Sequence, residues 1–201
     1  MSNPPDNGPG AVIQQFALGR QQDPTIWSGF PTIVYKKITF SSNTTGQGGQ
    51  AMDVEFAYHD DSQVFTDRPL NTLIEVLRRG GSVPQLVGGG GTPLDFELKP
   101  PCFVVIQLDG SRNWQFRTDG DAVTTKASYS GDYCALMQVY EDGDILAGYP
   151  QKDGCRIAYF SAIGPMAARD DGFNFHIELT QNNNKDLPLL IDPDIHNDGH
   201  G

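Results

Sequence analysis

The carboxyl-terminal residues carry the densest set of side chains that could bind a cation. Residues 192–201 include four oxygen ligands ahead of a glycine: Asp192, Asp194, Asn197 and Asp198. Ca²⁺ takes several oxygen ligands around a sharp turn, so this composition is compatible with a calcium site. The spacing is not that of an EF-hand loop, and no glutamate follows to close the site. A solvated or docked acidic tail is the alternative interpretation.

Histidine side chains offer a second set of candidate ligands and bases. His196 and His200 could bind a transition metal, although no third ligand is evident near them. His59-Asp60-Asp61 could hold a general base beside a carboxylate, and it is equally typical of a polar turn. His176 alternates with apolar residues in a strand-like stretch, so it is expected to face solvent. No Gly-x-Ser-x-Gly nucleophile elbow is present, and no catalytic residue is assigned.

The glycine run Gly88–Gly91 is the one stretch that suggests phosphate binding. A P-loop requires a preceding strand, a following Lys-Ser/Thr pair and then a helix. Here Thr92 and Pro93 follow the glycines, and the next lysine is Lys99. The run is therefore predicted to be a loop, and no cofactor is assigned to the chain apart from the possible Ca²⁺.

Two tryptophans could serve as platforms for a sugar ligand. Trp114 alternates with Phe116, a pattern that favours burial in the core of a sheet. Trp27 lies in a segment without clear period, where docking against the domain or a neighbouring subunit is the favoured interpretation.

The distribution of charge limits the partners of the chain. The sequence contains 25 acidic and 14 basic residues among 201, a formal net charge of −11 at pH 7. Nucleic-acid binding depends on cations that neutralise phosphates, and an anionic membrane surface repels an acidic protein. The basic residues are scattered, with Lys36–Lys37 and Arg78–Arg79 as the only adjacent pairs. The composition predicts no nucleic-acid partner and no membrane partner.

Cysteine usage and the amino terminus bear on the compartment. Cys102, Cys134 and Cys155 each lie in or beside an apolar stretch, which is typical of reduced, buried cysteines. Residues 1–10 lack the basic and apolar regions of a secretory signal. No apolar run approaches the roughly 20 residues that span a bilayer. A cytoplasmic protein is predicted. If the chain were exported without a cleaved signal, two of the three cysteines could form one disulfide.

One amphipathic helix must be placed among many short strands. Leu70, Leu73, Ile74 and Leu77 form one apolar stripe, and Gly80 supplies a stop, which predicts a helix over residues 68–79. Apolar alternation predicts strands over residues 32–40 and 52–58, followed by a turn at residues 59–63. Further strands are predicted at 94–98, 102–108, 112–118, 122–129, 132–140, 155–162, 172–180 and 187–191. Asp-Gly pairs between several of these segments are typical of tight hairpin turns.

These elements predict a mainly β protein, an antiparallel β-sandwich with one short inserted helix and extended termini. Residues 1–10 are predicted to form a disordered or extended tail. Residues 11–191 are predicted to form one domain, with residues 11–30 as a docking arm. Residues 192–201 are predicted to form an acidic tail.

Three functions are compatible with this reading of the chain. The favoured one is a non-enzymatic interaction or self-assembly protein, in which residues 11–30 and 187–195 add a strand to a neighbouring copy. The first alternative is a β-sandwich module that binds a small ligand, a sugar or Ca²⁺. The second is an uncharacterised hydrolase or cupin-like enzyme, although the chain lacks the His-x-His pair of a cupin.

The end of the sequence is similar to that of a group of small bacterial proteins of unknown function. The similar stretches are Phe173–Thr180, Leu187–Ile195 and Asn197-Asp198-Gly199. In that group a final β-strand runs into a tail of the type Ile-Asp-Pro-x-Ile-x-Asn. Some members have the label "nucleotide synthetase". The resemblance implies a bacterial, cytoplasmic all-β protein and assigns no functional residue.

Overall fold

Short strands and one helix make up the part of the chain that the computed structural model describes. The described residues are 15–19, 32–38, 41–43, 53–55, 58–65, 70–81, 96–109, 113–129, 131–148, 151–180 and 186–199. The first strands are β1 (Phe16–Ala17), β2 (Thr32–Ile38), β3 (Ser41–Asn43), β4 (Asp53–Glu55) and β5 (Tyr58–Phe65). After the helix α1 (Leu70–Arg78) come β6 (Phe96–Leu98), β7 (Cys102–Leu108), β8 (Trp114–Phe116), β9 (Val123–Thr125) and β10 (Tyr133–Tyr140). The last strands are β11 (Ile145–Ala147), β12 (Cys155–Ala162), β13 (Arg169–Thr180), β14 (Asp186–Ile191) and β15 (Asp194–Asn197).

The long strand β13 organises the first sheet. Two strands, β8 and β9, pair with it in succession along one side, and β15 and β14 pair with it along the other. Strand β1 extends the sheet beyond β9, and β6 extends it beyond β15. Because twelve residues of β13 span all of these partners, the sheet is continuous from the arm at β1 to the carboxyl-terminal strand.

The second sheet has six strands in the order β11-β10-β12-β7-β2-β5. Strand β2 runs parallel to β7, whereas the other neighbours are antiparallel. A parallel neighbour requires a long crossover. The chain between β2 and β7 supplies one, and it includes β5 and the helix. A parallel pair also joins β15 and β6, so both sheets are mixed.

Strand alternation divides the core into two layers. Val34, Val104 and Phe160 of the second sheet pack with Phe173 and Phe175 of the first, and all five are buried. The opposite face of the second sheet packs against α1. The period of two along each strand therefore places one apolar row between the sheets and the other row beneath the helix.

The helix buries the stripe that the sequence predicts. Leu73, Ile74 and Leu77 are buried against Ile33 and Tyr159 of the second sheet. The chain leaves the helix at Gly80, whose φ of 72° is a left-handed conformation that glycine adopts without steric cost. No helix among the described residues is long and apolar enough to cross a membrane.

The structure confirms a mainly β fold with one short inserted helix, and it changes some details of the prediction. The turn predicted at residues 59–63 was wrong, because these residues lie within β5, which pairs with β2. Pairing with a neighbouring strand outweighs the polar composition of the segment. Residues 194–197, within the predicted acidic tail, form β15 between β13 and β6.

Candidate functional site

Asp192 and Asp194, two of the predicted calcium ligands, flank the ammonium group of Lys126. Asp194 Oδ1 lies 3.2 Å from Lys126 Nζ, and Asp192 forms an ion pair with the same nitrogen. Although partial burial opposes the charge, hydrogen bonds to the two carboxylates raise the pKa of Lys126 above its usual value. A lysine ammonium thus lies where the sequence analysis placed a cation.

The other two predicted ligands lie on opposite faces of β15 and its extension. Asp198 is half-buried, with Oδ2 at 3.7 Å from Lys99 Nζ and Oδ1 at 3.2 Å from His196 Nε2. Asn197 points inward and is fully buried. Among the described residues, no three or more His, Cys, Asp or Glu side chains are grouped to hold a metal ion. Calcium binding at these residues stays a prediction.

The Asn197 side chain joins the carboxyl-terminal strand to the rest of the domain. Its Nδ2 donates to the hydroxyl of Tyr133 at 2.7 Å and to the carbonyl of Gly164 at 2.6 Å. Its Oδ1 accepts from the backbone N–H of Gly199 at 3.0 Å. Since a buried amide must satisfy both its donors and its acceptor, these bonds fix the position of β15.

A buried carboxylate continues this network towards the surface. Asp171 is fully buried and accepts from the Tyr133 hydroxyl and from Arg169 Nε, each at 2.5 Å. Arg169 also donates to Asp132 at 2.5 Å, and its guanidinium lies 4.7 Å from the ring centre of Tyr129. We call Tyr133, Asp171, Arg169, Asp132 and Asn197 the polar network.

A cavity of about 160 Å³ adjoins this network. Residues 16–19, which include β1, line one part of the cavity, and Thr125, Ser128, Tyr129 and Tyr133 line the rest. Tyr133 is buried and bonded to Asp171, and the Tyr129 hydroxyl accepts from the backbone N–H of Gly172 at 3.2 Å. The aromatic side of the cavity is therefore held in place by hydrogen bonds from β13.

The chemistry of the cavity favours contact with a planar ring. Aromatic side chains offer faces and edges for stacking, and hydroxyl groups can donate or accept a hydrogen bond. Burial and the hydrogen bond to Asp171 raise the pKa of Tyr133 well above its usual value, so its hydroxyl stays protonated. The cavity can position a ring but contains no group among its described walls that is poised to transfer a proton near neutral pH.

The outward face of β13 carries a row of buried polar side chains. The expectation that His176 faces solvent was wrong, since it is 6% exposed and its Nε2 lies 2.8 Å from Thr124 Oγ1. Burial, together with the nearby Arg117, lowers the pKa of His176 to about 4. A base this weak is almost entirely neutral at pH 7, so it is a poor general base and a suitable hydrogen-bonding group. Its neighbour Glu178 accepts from the backbone N–H of Thr118 at 3.0 Å.

The remaining candidates from the sequence have different outcomes. Trp114 is buried in the core, as predicted, and the three cysteines are free and buried. Burial raises the pKa of Cys102 and Cys155 to about 12, which makes both thiols poor nucleophiles. Trp27, Gly88–Gly91 and His200 lie outside the described residues.

Both segments assigned to self-assembly have partners within the same chain. Strand β14 pairs with β13 from Asp186 to Ile191, and β15 pairs with β13 next to it. Of the amino-terminal arm, β1 pairs with β9, and Gly19 bridges to Cys134. These segments thus fold back on their own domain where they are described. Self-association of the protein stays a prediction.

Sequence reasoning missed the cavity and the polar network. Tyr133 and Asp171 are separated by 38 residues, and Tyr133 and Asn197 by 64. No local pattern links them. The available signal was a pair of tyrosines, Tyr129 and Tyr133, around a Gly-Asp pair between two strands. That signal marks a turn but not the arm that closes the cavity.

The fold defines the chain as a β domain of two large mixed sheets and a separate β3–β4 pair, with a helix on one outer face, an architecture that by itself specifies no activity. Comparison with known proteins is more specific. The chain belongs to the family described as "predicted novel nucleotide synthetase", whose model matches residues 32–200. This match extends the similarity well beyond the carboxyl-terminal stretches. No curated protein matches the chain.

Proposed function

We propose that this protein binds a nucleotide-class ligand, with the planar base in the cavity between β1 and the Tyr129–Tyr133 wall. The observation that supports the proposal is a cavity with aromatic walls next to a fixed polar network. Stacking on an aromatic side chain contributes roughly 1–3 kcal/mol per base. The description of the family supplies the ligand class, since it names nucleotides.

Binding is better supported than catalysis at this site. The Tyr133 hydroxyl is committed to Asp171, and Arg169 is neutralised by Asp171 and Asp132. These groups hold their positions without an available proton or an unpaired charge. A nucleotide synthetase activity would need additional groups to act on the phosphates, so the described residues support base recognition as the function of the cavity.

Filling the cavity from its rim is expected to weaken nucleotide binding. Ser128 lines the cavity and is exposed, so Ser128→Phe places a ring in the space without disturbing the core. We expect the dissociation constant for mononucleotides to rise about tenfold or more, because overpacking costs more than 1 kcal/mol. Isothermal titration calorimetry with UMP, CMP, AMP and GMP measures the constants. Ligand-induced shifts in Tm provide an independent readout, since a ligand that binds only the folded state stabilises it.

The neighbouring residue provides a matched control. Ala127 is also exposed but does not line the cavity, so Ala127→Phe adds the same bulk one residue away. This variant should retain the affinity of the unmodified protein. Equal loss in both variants would place binding elsewhere on this loop. The absence of binding of all four nucleotides to the unmodified protein at millimolar concentration would refute the proposed function.

A further inference from the structure

We infer that the cavity accepts a single-ring base and discriminates against a fused two-ring base, so that its ligand is a pyrimidine nucleotide. The inference rests on the proposed function and specifies the class of ligand at the same site. It follows from the size of the cavity and from the way its walls are fixed.

The volume of the cavity matches one six-membered ring. A protein cavity of about 150 Å³ holds one benzene molecule. The cavity here measures about 160 Å³, so the two rings of a purine do not both fit between its described walls. The cavity is also open on one side, so the sugar and phosphate of a nucleotide would extend into solvent. Only the base is therefore subject to the size limit.

The Thr125 and Tyr133 side chains cannot easily move to make room for a larger base. Thr125 belongs to β9, which pairs with β1 on one side and with β13 on the other. Tyr133 is held by Asp171 and by Asn197, and it packs edge-on against Phe173 with ring centres 4.8 Å apart. Moving either side chain outward would break buried hydrogen bonds or open a void in the core.

The part of the cavity wall formed by residues 16–19 is anchored at both ends of this segment. Phe16 and Ala17 pair with Thr125 and Thr124. Gly19 donates its N–H to the Tyr133 carbonyl, and its own carbonyl accepts from Ala135, each at 2.9 Å. Leu18, between these anchors, lines the cavity and is 7% exposed. Shortening the Leu18 side chain would therefore enlarge the cavity without removing a backbone hydrogen bond of this segment.

Calorimetric titrations of the unmodified protein test the inference directly. We expect UMP and CMP to bind with dissociation constants about tenfold lower than those of AMP and GMP. Inorganic phosphate and ribose 5-phosphate, titrated in the same buffer, show whether the base is required. Purine binding as tight as pyrimidine binding would overturn the inference and leave the proposed function intact. If no nucleotide binds, the proposed function fails as well.

Widening the cavity should reduce the preference for pyrimidine over purine nucleotides. Leu18→Ala removes part of the wall and is expected to narrow the ratio of purine to pyrimidine dissociation constants by about threefold or more. Leu136→Ala is the matched control, since Leu136 is a core leucine of similar exposure that does not line the cavity. An equal change of the ratio in both variants would overturn the inference, because cavity size would then not be its cause. Far-ultraviolet circular dichroism confirms that each variant is folded, and the unmodified protein alone decides the outcome if Leu18→Ala is not.

Discussion

Asp171→Ala is expected to lower the free energy of unfolding by about 3 kcal/mol, the low end for breaking a buried ion pair, because the Arg169 side chain is 36% exposed. The carboxylate is fully buried and accepts from both Tyr133 and Arg169. Its removal leaves the Tyr133 hydroxyl without its acceptor in the core. The loss is moderated because Arg169 keeps its ion pair with Asp132. Urea denaturation followed by intrinsic fluorescence measures the change.

A pair of tyrosine variants separates the network from hydroxyl burial in general. Tyr133→Phe removes a hydroxyl that bonds to Asp171 and to Asn197, and about 1–3 kcal/mol of stability should be lost. Tyr140→Phe removes the hydroxyl of an equally buried tyrosine, and this hydroxyl has a long contact of 3.5 Å with Gln138 Nε2. The control should lose less than about 1 kcal/mol. Equal losses in the two variants would show that the polar network adds no stability of its own.

The elements that the sequence predicted are those determined by the local spacing of apolar residues. The stripe of Leu73, Ile74 and Leu77 requires only helical geometry, and the structure buries all three. The alternation of Phe173, Phe175 and Ile177 likewise requires only an extended strand, and these side chains lie between the sheets. Local signals suffice here because each face meets one continuous apolar layer.

The features that the sequence did not predict depend on contacts between distant segments. The cavity exists because β1 pairs with β9, which brings Phe16 within reach of Thr125, 109 residues later in the chain. The burial of His176 depends on what covers the outer face of β13, and alternation within one strand does not specify that. Asn197 has the composition of a metal ligand, but its inward direction follows from the pairing of β15 with β13 and β6.

Acidification is expected to destabilise the protein through His176. Its pKa is about 4 in the folded protein, whereas an unfolded histidine has an ordinary value near 6.5. Because the unfolded chain binds the proton more readily, this contribution to stability is fully present above about pH 6.5. It is lost progressively as the pH falls towards 4. The difference between the folded and unfolded pKa of His176 corresponds to about 3 kcal/mol in the free energy of unfolding.

The contribution of His176 is tested by the slope of the free energy of unfolding against pH. This slope can be compared between variants even when their stabilities at pH 7 differ. His176→Gln removes the titrating group and can still bond to Thr124, so its free energy of unfolding should fall less between pH 7 and 5 than that of the unmodified protein. His196→Gln is the control, because hydrogen bonding to Asp170 raises the pKa of His196 despite some desolvation. A raised pKa stabilises the fold at low pH, so this variant should keep the slope or steepen it. Urea denaturation at half-unit steps of pH gives both slopes. Parallel curves for His176→Gln and the unmodified protein would show that His176 is not the group responsible.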